Sequence, residues 1–387
     1  MLNYTRDIPT KLYFGKGSIS NLKDALSQFG KNVLLTYGGG SIKKIGLYEE
    51  IMNILKPDFN VFELNGIEPN PRIESVAAGA EICKKENIDV ILAVGGGSTI
   101  DASKAMCVVA RREGDPWDIV VKCRGVQEDA VPLVTILTLS ATGSEYDGGG
   151  VISNLATKQK IARSLTYPAV SICDPTYTYS VNAYQTAAGS ADIMSHIFEE
   201  YFARVEDCDL SDAISEDILR SVMKNCPIAI KDPTNYSARA NLMTDSSIAC
   251  SGIPSLGRDD TGWPCHAMEH ELSAFYDITH GVGLAILTPR WMRLILKKDP
   301  SVTPRFAQFA RNVIGLSGED EVIAKEGIDA LENYFKSTGI PMTLSELNID
   351  ETNFEVMAHA ANPGGYLKNA YVPLTDEDIV EIYKACL

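Results

Sequence analysis

Histidine is scarce in this chain, with five residues in 387, and basic side chains are outnumbered. Lys and Arg total 35 against 51 Asp and Glu, a net charge of −16. A surface that acidic repels phosphate backbones and anionic lipid, which argues against nucleic acid and membrane surfaces as partners. No apolar run approaches the ~20 residues that a bilayer-crossing helix needs. The opening Met1-Leu2-Asn3-Tyr4-Thr5-Arg6-Asp7 has no apolar stretch of the kind a signal peptide carries. The nine cysteines are scattered and never spaced Cys-x-x-Cys. Neither a disulfide framework nor a thiolate zinc site is expected, and the reading is a cytoplasmic protein with reduced thiols. What remains is an ordinary globular composition, 45% hydrophobic and 22% charged, with chain enough for a large core.

Short runs rich in Val, Ile and Leu predict strands at Lys31–Tyr37, Val61–Leu64, Val90–Val94, Leu133–Thr138 and Val170–Cys173. They show little polar alternation, as strands covered on both faces do. Amphipathic stretches lie between them, at Ile19–Phe29, Leu47–Leu55 and Ile73–Lys85. Strand and helix in alternation predict a mainly parallel sheet with right-handed crossovers. Past residue 184 the pattern changes: 18 of the 30 glycines are already spent, and strand-like runs nearly vanish. Helical periods follow at Gln185–Arg204, Ser211–Asn225, Gly281–Lys298 and Glu319–Ser337, with Pro227, Pro233, Pro300 and Pro341 placed as helix ends. The expected organisation is an α/β domain over 1–184 and an all-helical domain over 185–387.

Two strands run into glycine clusters. Val33–Tyr37 leads to Gly38-Gly39-Gly40-Ser41, and Val90–Val94 leads to Gly95-Gly96-Gly97-Ser98 and a helix that opens with Thr99-Ile100-Asp101. Glycines between a buried strand and a helix let the backbone approach a phosphate and turn N–H groups toward it. One such loop is as well explained as a tight turn; a pair of them points to a dinucleotide. Neither is Gly-x-Gly-x-x-Gly, so an ordinary Rossmann fingerprint is absent. A third loop, Thr138-Leu139-Ser140-Ala141-Thr142-Gly143-Ser144-Glu145, adds hydroxyls after another buried strand. The turn at residues 38–41 carries no carboxylate and is followed by Lys43 and Lys44. A 2′-phosphate is tolerated there, which favours NADP over NAD.

Three of the five histidines, His266, His270 and His280, fall within fifteen residues. Asp192 and His196 are spaced i, i+4 on a helical stretch, as are His266 and His270, so each pair projects from one face. Carboxylate and imidazole without thiolate suit a catalytic divalent ion such as Fe(II) or Zn(II). Taken singly, each histidine is better explained as a capping or core residue, and His359 keeps that reading. His266-x-x-Glu269-His270 also matches the His-x-x-Glu-His signature of a metallohydrolase, in which the glutamate is the base. That alternative leaves the glycine loops and Asp192, His196 and His280 unexplained.

The ordered set of motifs resembles the iron-containing alcohol dehydrogenases, closest to their NADP-dependent butanol dehydrogenases and broad-range aldehyde reductases. It comprises Phe14-Gly15-Lys16-Gly17-Ser18, Tyr37–Ser41, Gly95–Asp101, Ala141–Glu145, Asp174-Pro175-Thr176 and His266–Gly281. The resemblance implies a Rossmann-like, dehydroquinate synthase-like α/β dinucleotide-binding domain followed by an all-α metal-binding domain. It implies a divalent metal, iron foremost and zinc as an alternative, on Asp192, His196, His266 and His280. His270 would line the site without ligating, as part of a proton path. NADP(H) would lie on Gly38, Gly39, Gly40, Ser41, Gly95, Gly96, Gly97 and Ser98. Asp101, Thr138, Leu139, Thr142, Ser144, Lys160 and Tyr179 complete the implied cofactor site. NAD-using members carry Asp where this chain has Gly39. Ser140 stands where the family often has Pro, and Asp147 where it often has Asn. The implied reaction is reversible hydride transfer between the nicotinamide and a small primary alcohol or aldehyde, such as butanol and butanal, by a homodimer. A non-redox enzyme resembling dehydroquinate synthase is the other reading of the same fold, but it needs basic residues near the histidines, and the sequence has few there.

Overall fold

Val33, Leu35 and Tyr37 belong to one apolar cluster and Leu34 to another, and the next strand divides the same way, Val90, Leu92 and Val94 against Ile91 and Ala93. Residues of alternate parity face opposite sides of a sheet, so both faces must be covered. In the computed structural model, which describes residues 1–205 and 207–387, helices cover both. The chain forms two compact units, one of residues 7–181 with 233–247, the other of 1–6, 182–232 and 248–387. These are not two uninterrupted halves.

The first unit contains β1 (Lys11–Phe14), α1 (Leu22–Ser27), β2 (Asn32–Tyr37), α2 (Ser41–Lys44), α3 (Leu47–Leu55), β3 (Asn60–Leu64) and α4 (Ile73–Lys85). It continues through β4 (Val90–Gly95), α5 (Gly97–Val109), α6 (Pro116–Lys122) and β5 (Leu133–Leu137). A hairpin of β6 (Gly149–Asn154) and β7 (Gln159–Ser164) precedes β8 (Val170–Cys173). Six strands pair in the order β1-β8-β5-β4-β2-β3, all parallel. Leu22, Leu26, Leu47, Ile51 and Leu55 of α1 and α3 pack on one face, and Val76, Ala80, Ile100 and Met106 of α4 and α5 on the other. Tyr37 at the end of β2 lies opposite Val94, and Gly95 at the end of β4 opposite Leu137. The three strand ends that carry the glycine and hydroxyl loops are therefore neighbours. The chain reverses direction across the sheet between β2 and β4, the position where open α/β sheets bind ligands.

The remaining helices are α7 (Ala183–Tyr201), α8 (Asp209–Lys231), α9 (Tyr236–Ala249), α10 (Pro264–Tyr276), α11 (His280–Lys298), α12 (Thr303–Phe309), α13 (Asp320–Ser337), α14 (Phe354–Ala361) and α15 (Asp376–Ala385). Among the described residues past 182 there is no strand. No described helix is long and apolar enough to cross a membrane, and no disulfide forms among the described residues.

Several expectations need correction. The stretch Ile19–Phe29 is helical only over α1, behind a 3₁₀ turn at Ser18–Asn21. Pro227 lies inside α8 rather than at its end. The buried face Leu219, Val222, Cys226 and Ala229 continues past it at helical spacing, and that burial offsets the ~3 kcal/mol that an interior proline costs. Strand β1 and the β6–β7 hairpin were not expected.

Candidate active site

The loop after β4 is shaped by close packing. A Cβ on Gly97 would stand 2.4 Å from Thr142 Oγ1 and 2.5 Å from its Cγ2, so only glycine lets the 138–142 loop come this near. Thr138 N donates to Gly95 O at 3.0 Å, joining the same two loops through their backbones. Helix α5 starts at Gly97 directly after β4, so its first N–H groups open at the carboxyl edge of the sheet, where an anion is favoured. Gly96, Ser98, Thr138, Leu139 and Thr142 are half-buried along this rim.

At the β2 end, Gly39 and Ser41 are exposed, and a Cβ on Gly39 would meet nothing within 4 Å. Gly38 and Gly40 flank it, half-buried. Lys43 lies over the rings of Tyr37 and Tyr48, 5.2 and 4.6 Å from their centroids. Both tyrosine hydroxyls donate to Glu63, at 2.8 and 2.9 Å. An ammonium group is thus held beside the turn by its aromatic neighbours.

Asp101 and Ser144, both expected at the cofactor, bond to each other. They are 7% and 2% exposed, and they spend their polar atoms inside the protein. Ser144 Oγ donates to Asp101 Oδ1 at 2.5 Å, and Val151 N donates to Asp101 Oδ2 at 2.8 Å. The pair braces the third loop against α5 and β6, and burial raises the Asp101 carboxyl to about 6. Asp147 is likewise engaged: fully buried Lys104 donates to its Oδ1 at 2.8 Å and to Gly149 O at 2.7 Å. Lys160 is buried on β7 opposite Ser153, and Tyr179 is half-buried at the end of a 3₁₀ turn, Pro175–Thr178.

The second unit gathers the acidic and imidazole candidates. Asn182 caps α7 by accepting from Gln185 N at 2.8 Å, and residues 186–201 of that helix are all buried. Asp192 and His196 therefore project one turn apart into the interior. Helix α10 begins with Pro264 at its first turn and carries His266 and His270. Only Asp277, Ile278 and Thr279 separate it from α11, which opens with His280.

These elements ring a single carboxylate oxygen. Asp192 Oδ1 lies 3.5 Å from His196 Nε2, 3.8 Å from His266 Nε2 and 3.6 Å from His280 Nε2. Asp192 Oδ1 and His266 Nε2 are buried and make no hydrogen bond, a rare and costly condition, at about 1–3 kcal/mol for each stranded group. Four donors around one divalent ion at ordinary bond lengths would stand about 3.4 Å apart. The donor types and the three spacings from Asp192 suit such an ion, and Asp192, His196 and His266 place donor atoms within 4.8 Å of one another. Burial works to raise the Asp192 carboxyl, and the three imidazoles outweigh it and hold it well below the usual range. Burial lowers His196 to about 3. Burial would lower His266 too, but Glu199 and Asp192 raise it to about 9.

Two buried glutamates back this cluster, and the sequence reading missed the first. Glu199 Oε2 lies 3.0 Å from His266 Nδ1, while its Oε1 accepts from the backbone N–H of Cys265 and, at 3.1 Å, of His266. Residues 192, 196 and 199 stand at i, i+4 and i+7 on one face of a buried helix, a spacing the sequence did contain. Glu269 Oε2 meets His280 Nδ1, and Glu269 Oε1 accepts from Ser273 Oγ. Glu269, His270 and His280 also place donor atoms within 4.8 Å of one another, but those glutamate oxygens are already taken by hydrogen bonds. Glu269 is fully buried and committed, so it is not placed as the base of a His-x-x-Glu-His hydrolase. His270 adjoins the cluster, with ring centroids 6.2 Å from His266 and 5.7 Å from His280. His359 lies apart on α14, exposed, 3.0 Å from Asp376.

Trp263 was also missed. Its ring leans on His196 and His266, at centroid distances of 5.7 and 5.0 Å. Its backbone is left-handed, at φ 50°, a conformation that bulky side chains rarely adopt.

Comparison with known proteins agrees along the whole chain. Residues 9–175 match the family model described as iron-containing alcohol dehydrogenase, and residues 186–387 match the C-terminal region of the Fe-containing alcohol dehydrogenase family. NADH-dependent butanol dehydrogenase A of Clostridium acetobutylicum is 47% identical over 391 residues, 99% of each chain. An NADPH-dependent aldehyde reductase of Escherichia coli is 33% identical over 92% of each. The crystal structure of an NADH-dependent butanol dehydrogenase A from Thermotoga maritima superposes with a TM-score of 0.93 at 38% identity, covering 100% of this chain and 99% of that one.

Proposed function

The chain belongs to the iron-containing alcohol dehydrogenase family, and from that premise we propose that it interconverts small primary alcohols and aldehydes with a nicotinamide dinucleotide and one divalent metal. Butanol and butanal are the representative pair. The observation that carries the metal is the buried, unbonded Asp192 Oδ1 ringed by three imidazole nitrogens. Asp192, His196, His266 and His280 would hold the ion, Fe(II) by family, with Zn(II) suited to the same donors. When bound, the ion supplies Lewis acidity to the substrate oxygen and the dinucleotide supplies the hydride.

The protein's own groups orient and seal. The rim formed by residues 95–98 and 138–142 would seat the pyrophosphate on backbone N–H groups and hydroxyls, which an acidic protein needs because its overall field repels it. Tyr179 and Lys160 would lie along the cofactor, with Asp101 and Ser144 bracing the loop from within. His270 would take the alcohol proton toward solvent. The open turn at Gly39, with Ser41 and Lys43 beside it, supports acceptance of a 2′-phosphate and so NADPH. Butanol dehydrogenases at 42–47% identity are named NADH-dependent, and the NADPH-dependent aldehyde reductase stands at 33%, so both cofactors belong in the assay. Like its family, the enzyme would work as a homodimer, and sedimentation at twice the chain mass tests that.

The direct test follows dinucleotide absorbance with butanal in anaerobically prepared protein, before chelation, after it, and after Fe(II) or Zn(II) is returned. Butanal-dependent oxidation that disappears and returns with the metal is expected. Oxidation indifferent to chelation, or none with either dinucleotide, contradicts the proposal.

A further inference from the structure

Glu199 and Glu269 each meet the Nδ1 of one histidine, but their second oxygens differ. Glu199 Oε1 accepts two backbone N–H groups, those of Cys265 and His266. Glu269 Oε1 meets the hydroxyl of Ser273, which also lies 3.4 Å from Ile278 O. A backbone N–H can only donate, whereas a serine hydroxyl donates or accepts. The hydrogen bonds of Glu199 therefore demand an acceptor at both ends, whereas the Ser273 contact of Glu269 does not.

We propose that Glu199 and Glu269 are positioning residues that fix the tautomers of His266 and His280, with Nδ1 protonated and the Nε2 lone pair turned toward Asp192 Oδ1. We further propose that only the Glu199 lock requires a carboxylate. A glutamine at 199 must give its oxygen to the two backbone donors and its NH₂ to His266 Nδ1. That Nδ1 then becomes an acceptor, and Nε2 carries a proton where a ligand lone pair is needed. The reverse orientation sets NH₂ against two N–H donors and loses both bonds. A glutamine at 269 can turn its NH₂ to Ser273, whose proton swings to Ile278 O, and keep its oxygen on His280 Nδ1. The sequence cannot show this difference, because it depends on what the far end of each carboxylate touches.

The inference rests on the metal reading above, and the experiment separates the two. Wild type, Glu199→Gln, Glu269→Gln and Asp192→Asn are prepared metal-free and titrated with Zn(II) against a chromophoric chelator. Wild type binds one Zn(II) and Asp192→Asn loses it. Glu199→Gln binds roughly 10–100-fold more weakly, and Glu269→Gln stays within about threefold of wild type. Protein labelled with ¹⁵N-histidine and loaded with Zn(II) gives a second readout. Wild type and Glu269→Gln show protected Nδ1–H signals from both His266 and His280, and Glu199→Gln loses that of His266. Equal affinities in the two glutamine variants, whether both intact or both weakened, overturn the tautomer assignment and leave the metal reading standing. Wild type without a Zn(II) site, or Asp192→Asn with an intact one, overturns the metal reading and this inference with it. Should Glu199→Gln fail to fold, the wild-type spectrum still decides, because missing Nδ1–H signals on His266 and His280 contradict the proposal.

Discussion

His270 stands one helical turn after His266, its ring centroid 6.2 Å from that of His266 and 5.7 Å from that of His280. If it carries the proton, His270→Ala lowers turnover by on the order of 10²-fold and leaves the metal content of the purified protein unchanged. Metal lost along with activity would make it a ligand. At Gly39 the space is open, so an aspartate fits sterically and acts by charge. Gly39→Asp is expected to lower kcat/KM for NADPH at least ~10-fold more than for NADH, and equal losses would remove the 2′-phosphate from this turn. Glu145 tests burial alone. It is fully buried, accepts from Ser247 Oγ at 2.6 Å, and is raised by burial to about 7. The folded state holds this proton more tightly than the unfolded chain, so the stability it contributes is complete below about 4.5 and declines as pH rises toward 7. Between pH 5.5 and 8, wild type should therefore lose ground to Glu145→Gln by on the order of 1–3 kcal/mol in denaturant unfolding. A gap that does not change with pH contradicts the assignment.

At the scale of elements, the cluster depends on how α11 meets α7. A Cβ on Gly281, next to His280, would stand 1.9 Å from Ala188 O, and backbone cannot yield as a flexible side chain does. Gly281→Ala should cost about 1–3 kcal/mol of stability and weaken metal binding by shifting His280, read by thermal unfolding with and without Zn(II). Unchanged stability and affinity would mean that the contact carries no weight. The same scale explains what was legible. The bounds of α3 and α4 and the buried strands β2, β4, β5 and β8 could be read because dense apolar periods leave one choice of face. Strand β1 is four residues long at a sheet edge with no buried residue, and the hairpin opens with two glycines and runs into the partly exposed β7, so neither has the continuous apolar run of β2, β4, β5 and β8. Asp192 and His196 were visible by spacing, and Glu199 could have been by extending the same face. Trp263 was not, since no local residue pattern announces a left-handed tryptophan.

Over the whole molecule, family membership was legible because many short motifs occur in order from residue 14 to residue 281, where any one alone would be a common turn or helix end. The compact units were less so: residues 233–247 belong with the sheet and residues 1–6 with the helices, and nothing in their composition says so. A net charge of −16 leaves anion binding to local N–H groups and cation binding to a place where carboxylate and imidazole converge. Anomalous X-ray scattering from crystals of the protein purified without air would look at that place directly. The expected result is one peak per chain, within bonding distance of Asp192 Oδ1 and of the Nε2 atoms of His196, His266 and His280. Protein that reduces butanal while showing no peak there, or a peak elsewhere, would contradict the account.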